Sequence, residues 1–349
     1  VESYGAELNH EVFEDGMFIS IKSLNVHFSK LFPLIDLIVK NPILSEIQFE
    51  TVKKSTLDSI KKEKENPFNS SFEKWRKIVY SNHPYAFNTI GYEEDVSQIT
   101  YKDIKVEYEK FKRRKKNLIS NNIFIKGEYL KISDSKITRD KISYSNNGLN
   151  LENRFVCSHN QSNQTIIMLG NQTCSFNSID HLHLKVLESY LSYGMSSVLF
   201  KLFREKNGIT YDVGVYNPIR NRRAPFLVYL SVSNENAIFA FKLLSNLWSE
   251  ILFSPINSKN LYLAKEKLKS SFLINNQVLE DILLRKIQLI SNGIMPNMQY
   301  DFISKIQEIS SFELQNITNK YLANPFLSIS GNEKTCQEIK NLWMNNFKN

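Results

Sequence analysis

Two stretches of the chain, Leu37-Ile-Val-Lys-Asn-Pro-Ile-Leu-Ser45 and Ile251-Leu-Phe-Ser-Pro-Ile-Asn-Ser258, decide the fold. Each reads as the end of a helix, a proline-marked break and the start of a long second helix, which runs to Lys64 in the first and to Asn275 in the second. The likeness continues downstream. Val96-Ser-Gln-Ile-Thr-Tyr-Lys-Asp-Ile104 leads into an amphipathic helix and then into the short strand Ile123-Phe-Ile-Lys-Gly127. Ile306-Gln-Glu-Ile-Ser-Ser-Phe-Glu-Leu314 leads in the same order into a helix to Leu322 and the strand Phe326-Leu-Ser-Ile-Ser-Gly331. Matching points lie roughly 213, 210 and 204 residues apart, the nearly constant register of a duplicated domain with small loop changes.

In both copies a hydroxyl residue precedes the helix with an acidic residue three positions on, Thr100 with Asp103 and Ser310 with Glu313. The hydroxyl accepts an orphan amide, and the carboxylate favours the positive end of the helix. Strands are expected at Met17-Phe-Ile-Ser-Ile21 and at Phe226-Leu-Val-Tyr-Leu-Ser-Val232, again at a similar offset. The fold class is therefore α+β, with two homologous domains, each a mainly antiparallel sheet covered by helices on one face. The second copy opens with the strand Thr165-Ile-Ile-Met-Leu-Gly170 and a helix from about Ser178 to Phe203. The first copy lacks both, so it is expected to be incomplete, its opening elements lying upstream of residue 1 or lost. The domains expected are residues 1–130 and 165–349. Residues 131–164, rich in Ser, Asn, Lys and Asp and without periodicity, are the linker between them.

Composition narrows the function classes. The 349 residues are 42% hydrophobic and include only 11 Gly and 9 Pro, enough for a sizeable core and unlike collagenous or low-complexity chains. No uninterrupted apolar run is long enough to span a bilayer, since Leu31 to Val39 is broken by Pro33 and Asp36. The opening Val-Glu-Ser-Tyr-Gly lacks the plan of a signal peptide, and a start at Val points to something missing upstream. Cys157, Cys174 and Cys336 are odd in number and far apart, which predicts reduced structural thiols, with neither a disulfide framework nor a Cys-x-x-Cys zinc site. A cytoplasmic location follows. The net charge is +8, and the densest basic run is Lys110-Phe-Lys-Arg-Arg-Lys-Lys116. It closes an amphipathic stretch (Ile104, Tyr108, Phe111), where cations complement the helix dipole, so it reads as a solvated helix end and not as a nucleic-acid site.

One signature is more specific. Gly194-Met-Ser-Ser-Val-Leu-Phe200 followed by Phe203-Arg-Glu-Lys-Asn-Gly-Ile-Thr-Tyr211-Asp-Val-Gly214 resembles the C-terminal domain of the insulinase-like (M16) zinc metallopeptidases. Glu2-Ser-Tyr-Gly-Ala-Glu-Leu-Asn9 resembles that family's segment after the metal-binding helix, and His83-Pro-Tyr85 with Gly91 resembles its HPY and glycine turn. The resemblance covers essentially the whole chain. It implies two homologous α+β domains per subunit and a pairing of two short subunits into a clam-shell around unfolded peptide.

The family's chemistry needs a His-x-x-Glu-His helix, whose histidines bind zinc while the glutamate takes a proton from the metal's water, and a distal glutamate as third ligand. No His-x-x-Glu-His occurs in these residues. Aligning Phe49-Glu-Thr-Val-Lys-Lys-Ser-Thr-Leu-Asp-Ser-Ile60 with the family pattern puts Ser59 at the third-ligand position, and a hydroxyl is a poor zinc ligand beside a carboxylate. Glu63, a helical turn further, and Glu65 beyond it are the substitutes within reach, and a turn of about 5.4 Å is more slack than a zinc–oxygen bond allows. No metal ligand is therefore assigned. By the resemblance, Arg204 and Tyr211 are the substrate-anchoring pair, donors to the peptide carbonyl where negative charge develops as water attacks. Read without it, they are a surface arginine and a tyrosine of a core strand.

Other candidates are set aside. His181 and His183 sit where a helix begins, so residues two apart point away from each other. His83 before Pro84 is a turn residue, and Gly194 before Ser196 lacks the closing glycine of a nucleophile elbow. The expected function is that of a zinc-less M16-type subunit that lends Arg204 and Tyr211 to a zinc-bearing paralogue cleaving peptides. The alternatives are an active zinc endopeptidase with its motif upstream and Glu63 as a displaced ligand, and a non-catalytic structural or peptide-binding homologue; the partner is a zinc-bearing paralogue or a second copy of the chain. In each case no cofactor is assigned to this chain; zinc belongs to the partner or to the upstream motif, and neither nucleic acid nor a membrane span is expected.

Overall fold

The computed structural model describes residues 1–81, 83–113, 151–160, 162–291 and 300–347. In chain order the strands are β1 (Glu7–Phe13), β2 (Gly16–Lys22), β3 (Phe155–His159), β4 (Gln164–Gln172), β5 (Thr210–Tyr216), β6 (Pro225–Ser233) and β7 (Phe326–Gly331). Helices α1 (Asn25–Lys40), α2 (Glu46–Glu65), α3 (Pro67–Val79), α4 (Glu93–Gln98) and α5 (Tyr101–Arg113) come early in the chain. They are followed by α6 (Asp180–Ser192), α7 (Ala237–Phe253), α8 (Ser258–Asn275), α9 (Leu279–Ser291), α10 (Tyr300–Glu308), α11 (Ser311–Leu322) and α12 (Glu333–Asn346). The two breaks read from the prolines are present, after Lys40 and after Phe253. The expected strand Ile123–Gly127 and the end of the basic run beyond Arg113 fall outside the described residues.

The chain forms two compact units that do not follow chain order. The first takes residues Val1–Glu63, Asn88–Ile137 and Leu279–Gly293. Its sheet is the hairpin β1–β2, antiparallel from Glu7 opposite Lys22 to Phe13 opposite Gly16. Three phenol or amine groups tie its helices together: Tyr101 Oη donates to the Leu44 carbonyl (2.7 Å), Tyr108 Oη to Val39 (3.1 Å) and Lys53 Nζ to Ile99 (2.8 Å). The Thr100–Asp103 cap forms as read, the Thr100 amide donating to Asp103 Oδ2 at 2.8 Å and the Asp103 amide to Thr100 Oγ1 at 3.3 Å.

The second unit takes Lys64–Phe87, Thr138–Val278 and Ile294–Asn349. Its five-stranded sheet runs β3-β7-β4-β6-β5, antiparallel except for the β3–β7 pair. On one face Leu184, Leu187, Phe203, Phe241, Trp248, Ile339 and Trp343 of the helices pack onto Ile167, Leu169, Val228 and Leu230. Trp248 Nε1 donates to the Leu322 carbonyl (3.1 Å) and Ser189 Oγ to Ala264 (2.8 Å), so these two buried donors are satisfied by backbone acceptors. The capping box at Ser310 and Glu313 is complete.

The opposite face is also covered, which departs from the expectation of helices on one side. Trp75, Val79 and Tyr80 of α3 and its following turn pack on Ile166, Met168, Leu227 and Phe326. Strand β4 is buried at every position but its first, and a strand buried on both faces shows the continuous apolar run Ile166–Leu169 in place of alternation.

Two further readings are corrected. Residues 155–159, placed in the linker, form β3, because pairing with β7 supplies the hydrogen-bond partners that a five-residue stretch does not announce by itself. The thiols of Cys157 and Cys336 are joined in a disulfide, not reduced, while Cys174 remains free and buried. They are 179 residues apart in sequence, yet β3 lies beside β7 and Cys336 sits in the first turns of the helix that follows β7, bringing the Cα atoms within 6.3 Å. Among the described residues no single helix is long and apolar enough to cross a membrane; α7 and α8 pass only as a pair, bent by 99°, and α7 is a core helix.

Candidate functional site

Arg204 and Tyr211 are placed by two local irregularities of the second unit. The helix expected to run from Ser178 to Phe203 stops at Ser192, where Gly194 takes a left-handed φ of 74°. The chain resumes as a π-helical segment, Phe200–Lys206. Leu199 and Phe203 of this stretch are fully buried, so the neighbouring Arg204 faces solvent, its guanidinium 5.3 Å from the Phe200 ring. Gly208, at φ 60°, turns the chain into β5, and the Ile209 amide donates to the Phe203 carbonyl at 3.0 Å to close the turn.

Tyr211 is the extra residue of a β-bulge. Thr210 pairs with Val232 and Asp212 with the adjacent Ser231, leaving Tyr211 without an opposite number. Thr210 Oγ1 holds the irregularity by donating towards the Asp212 carbonyl (2.7 Å) and the Ser231 carbonyl (2.9 Å). A bulge re-aims the side chain it carries. Tyr211 is 65% exposed and does not enter the core. Both side chains thus present free donors, a guanidinium and a phenol, to solvent.

The zinc-ligand positions read differently. Ser59 is half-buried on α2, and its hydroxyl donates to the Ser55 carbonyl one turn back at 3.0 Å. Glu63 accepts from Asn88 Nδ2 at 3.0 Å. A back-bonded hydroxyl and a carboxylate engaged by an amide do not match a zinc donor set. A groove of about 580 Å³ runs along Val1, Glu2, Ser3, Ala6, Glu7 and Leu8, the segment that the resemblance sets after the metal helix.

His83 and His181 are structural. His83 Nδ1 accepts from the Tyr85 amide at 3.0 Å, and Tyr85 Oη accepts from the Arg222 amide at 3.2 Å. Burial, with Arg222 and Arg223 nearby, pushes His83 down to about 4. His181 is buried edge-on to Phe176, and burial with Lys185 nearby pushes it down to about 3. His183, two residues on, is only half-buried, as the helical spacing requires.

Two buried polar groups had no counterpart in the sequence reading. Glu188 accepts from Lys185 Nζ (2.8 Å) and Asn217 Nδ2 (3.1 Å), and Lys185 also donates to the Asn217 carbonyl (2.6 Å), clamping α6 to the loop after β5. Asp180 accepts from Lys320 Nζ (2.7 Å) and Tyr321 Oη (2.8 Å); burial works against its charge, but these donors hold its carboxyl below the usual range. The three-residue spacing of Lys185 and Glu188 was the only signal available in the sequence for either.

The second unit thus carries Arg204 and Tyr211 exposed at the edge of its sheet. The profile of the family described as Peptidase M16 inactive domain matches residues 132–268. An uncharacterized zinc protease of Rickettsia felis is 24% identical over 255 residues, 68% of this chain and 58% of that protein. Another from Rickettsia bellii is 23% identical over 248 residues, 67% and 58%. The chain therefore spans under two thirds of the length of these curated relatives. Among solved structures, a peptidase M16 inactive domain from Pseudomonas fluorescens superposes with a TM-score of 0.75 at 19% identity, covering 95% of this chain and 82% of that one. A protease from Helicobacter pylori gives 0.76 at 16%, with the same coverage, and a chain of complex III2 from Candida albicans 0.69 at 13%, covering 98% and 86%. Residues 132–268 thus match the M16 inactive-domain family, and the chain shares the fold of these solved structures.

Proposed function

We propose that this chain is the zinc-less subunit of an M16-type peptidase pair, in which Arg204 and Tyr211 anchor the peptide cleaved at the zinc of a paralogous partner. The observation that carries the reading is the exposure of both side chains on a π-helix and a β-bulge, each backed by buried neighbours. Irregular backbone of this kind aims side chains without adding to the core. A guanidinium and a phenol then donate to the scissile carbonyl as negative charge builds on its oxygen. The two halves are read as copies of one ancestral domain, with β3 belonging to the second. The substrate is unfolded peptide.

The test is peptide turnover by the chain reconstituted with a zinc-bearing paralogue. Arg204→Ala lowers turnover by about two orders of magnitude or more, the scale of losing one oxyanion donor. Unchanged turnover in a correctly assembled pair overturns the reading.

A second reading, an active zinc endopeptidase with its own motif upstream of residue 1, is favoured by the zinc protease names of the Rickettsia relatives. It predicts peptide cleavage without a partner by the protein made from its complete reading frame.

A further inference from the structure

We propose that Cys157, His159 and Cys336 form a redox-gated metal site: closed as a disulfide when oxidised, and a Cys2His site for a thiophilic divalent cation when reduced. This site lies in the second unit and involves none of the residues assigned to peptide anchoring.

The argument begins with strand geometry. Cys157 and His159 are two apart on β3, so their side chains leave the same face, while Ser158 between them turns the other way and donates to the Ile329 carbonyl at 3.2 Å. Cys157 lies opposite Ile329 of β7 and His159 opposite Gly331. Cys336 follows Gly331 by five residues, in the first turns of α12, which brings it back over that same edge of the sheet. The Sγ atoms and an imidazole nitrogen all lie within 4.8 Å of one another. Among the described residues this is the one cluster of three metal-ligating side chains.

The surroundings suit a cation. Cys336 is buried, Cys157 half-buried and His159 exposed, so one side of the site is open for entry and for a water as fourth ligand. Cys336 sits near the N-terminus of α12, where amide dipoles favour thiolate over thiol. Two thiolates also neutralise a divalent charge, so the bound site is uncharged where it is buried. A tetrahedral zinc would hold the sulfurs about 3.8 Å apart, a separation that side-chain rotation supplies once the bond is open. The Cα atoms, 6.3 Å apart, serve either state.

Opening balances as a two-electron exchange. An external dithiol reduces the bond, its own two thiols becoming a disulfide, and two electrons and two protons pass to the sulfurs of Cys157 and Cys336. A divalent cation then displaces those two protons. In a reducing compartment the open form prevails, and in an oxidising one the closed form does.

The test uses the whole chain, alone, with cobalt(II) as a spectroscopic probe and zinc as competitor. After reduction and anaerobic removal of the reductant, the chain takes up about one cobalt with thiolate-to-metal charge-transfer absorption, which zinc abolishes. The oxidised chain shows none of this absorption. Cys157→Ser removes it, and His159→Ala, at an exposed position, weakens cobalt binding by about tenfold or more. The proposal is overturned by a reduced, folded chain that lacks the charge-transfer band, by a bond that no dithiol opens in the folded chain, or by His159→Ala binding cobalt as the parent does. None of these readouts depends on peptide turnover, so they stand apart from the outcome of the Arg204 experiment.

Discussion

Trp75 Nε1 donates to the carbonyl of Phe326 at 3.2 Å, joining α3 to β7 across 251 residues of sequence. The indole is fully buried. Beside it Ser71 Oγ lies 3.1 Å from Ser328 Oγ, and Tyr80 Oη donates to the Arg223 carbonyl at 2.9 Å. Helix α3, which precedes the expected linker, is therefore the cover of the second face of the large sheet. Trp75→Ala removes the largest side chain of that cover and orphans the Phe326 carbonyl. We expect a loss of about 3–5 kcal/mol in denaturant unfolding, by cavity formation and a missing hydrogen bond. A loss below about 1 kcal/mol would mean that α3 does not hold this face.

Gly208 links the helix of Arg204 to the strand of Tyr211 at φ 60°, in a place where an added Cβ meets nothing within 4 Å. Gly208→Ala therefore tests backbone strain alone. It should cost about 1–2 kcal/mol of stability, the penalty of a left-handed conformation for an L side chain. In the reconstituted pair it should lower peptide turnover more than Ala at the neighbouring exposed Lys206 does, because it perturbs the relation between the two anchors.

Ser310 closes a full capping box, its backbone amide donating to Glu313 Oε2 at 2.8 Å while the Glu313 amide donates to the Ser310 hydroxyl at 3.2 Å. Ser310→Ala should cost about 1 kcal/mol in chemical denaturation, and Ser310→Asp less, since a carboxylate also accepts the amide. Equal stability of parent and alanine variant would remove the cap from the account of α11.

His181 sets an acid limit. Its imidazole is neutral in the fold down to about 3, whereas the unfolded chain takes up a proton near the usual value of 6.5. Between these two the unfolded state binds the extra proton, so stability rises with pH. The contribution is fully present above about 6.5 and is lost progressively as pH falls towards 3. Urea unfolding at pH 5 should give a stability about 2 kcal/mol lower on this account than at pH 7. His181→Phe, which cannot titrate, should flatten that part of the profile, and an unchanged slope would assign the acid sensitivity elsewhere.

Much of the secondary structure was legible from local chemistry. The proline breaks at Pro42 and Pro255, the two hydroxyl–carboxylate caps and the apolar strands at Phe226 and Phe326 each rest on residues close together in the chain. The readings that failed depend on distant partners. Strand β3 exists because β7 lies beside it, the Cys157–Cys336 bond because α12 turns back over that edge, and the double cover of β4 because α3 packs from 90 residues upstream of it. Likewise the helix drawn through to Phe203 breaks at a single left-handed glycine, Gly194, inside an otherwise continuous apolar pattern.

The sequence by itself determined the α+β class, the helix–break–helix order and the residue types at positions 59, 204 and 211, because propensity, capping and side-chain chemistry are carried by neighbouring residues. Tertiary structure alone decided that Tyr211 stands on a bulge and faces solvent, that α3 belongs with the large sheet, and that Cys157, His159 and Cys336 converge. Those outcomes follow from strand register and layer packing, which bring together side chains whose separation along the chain says nothing about their separation in space.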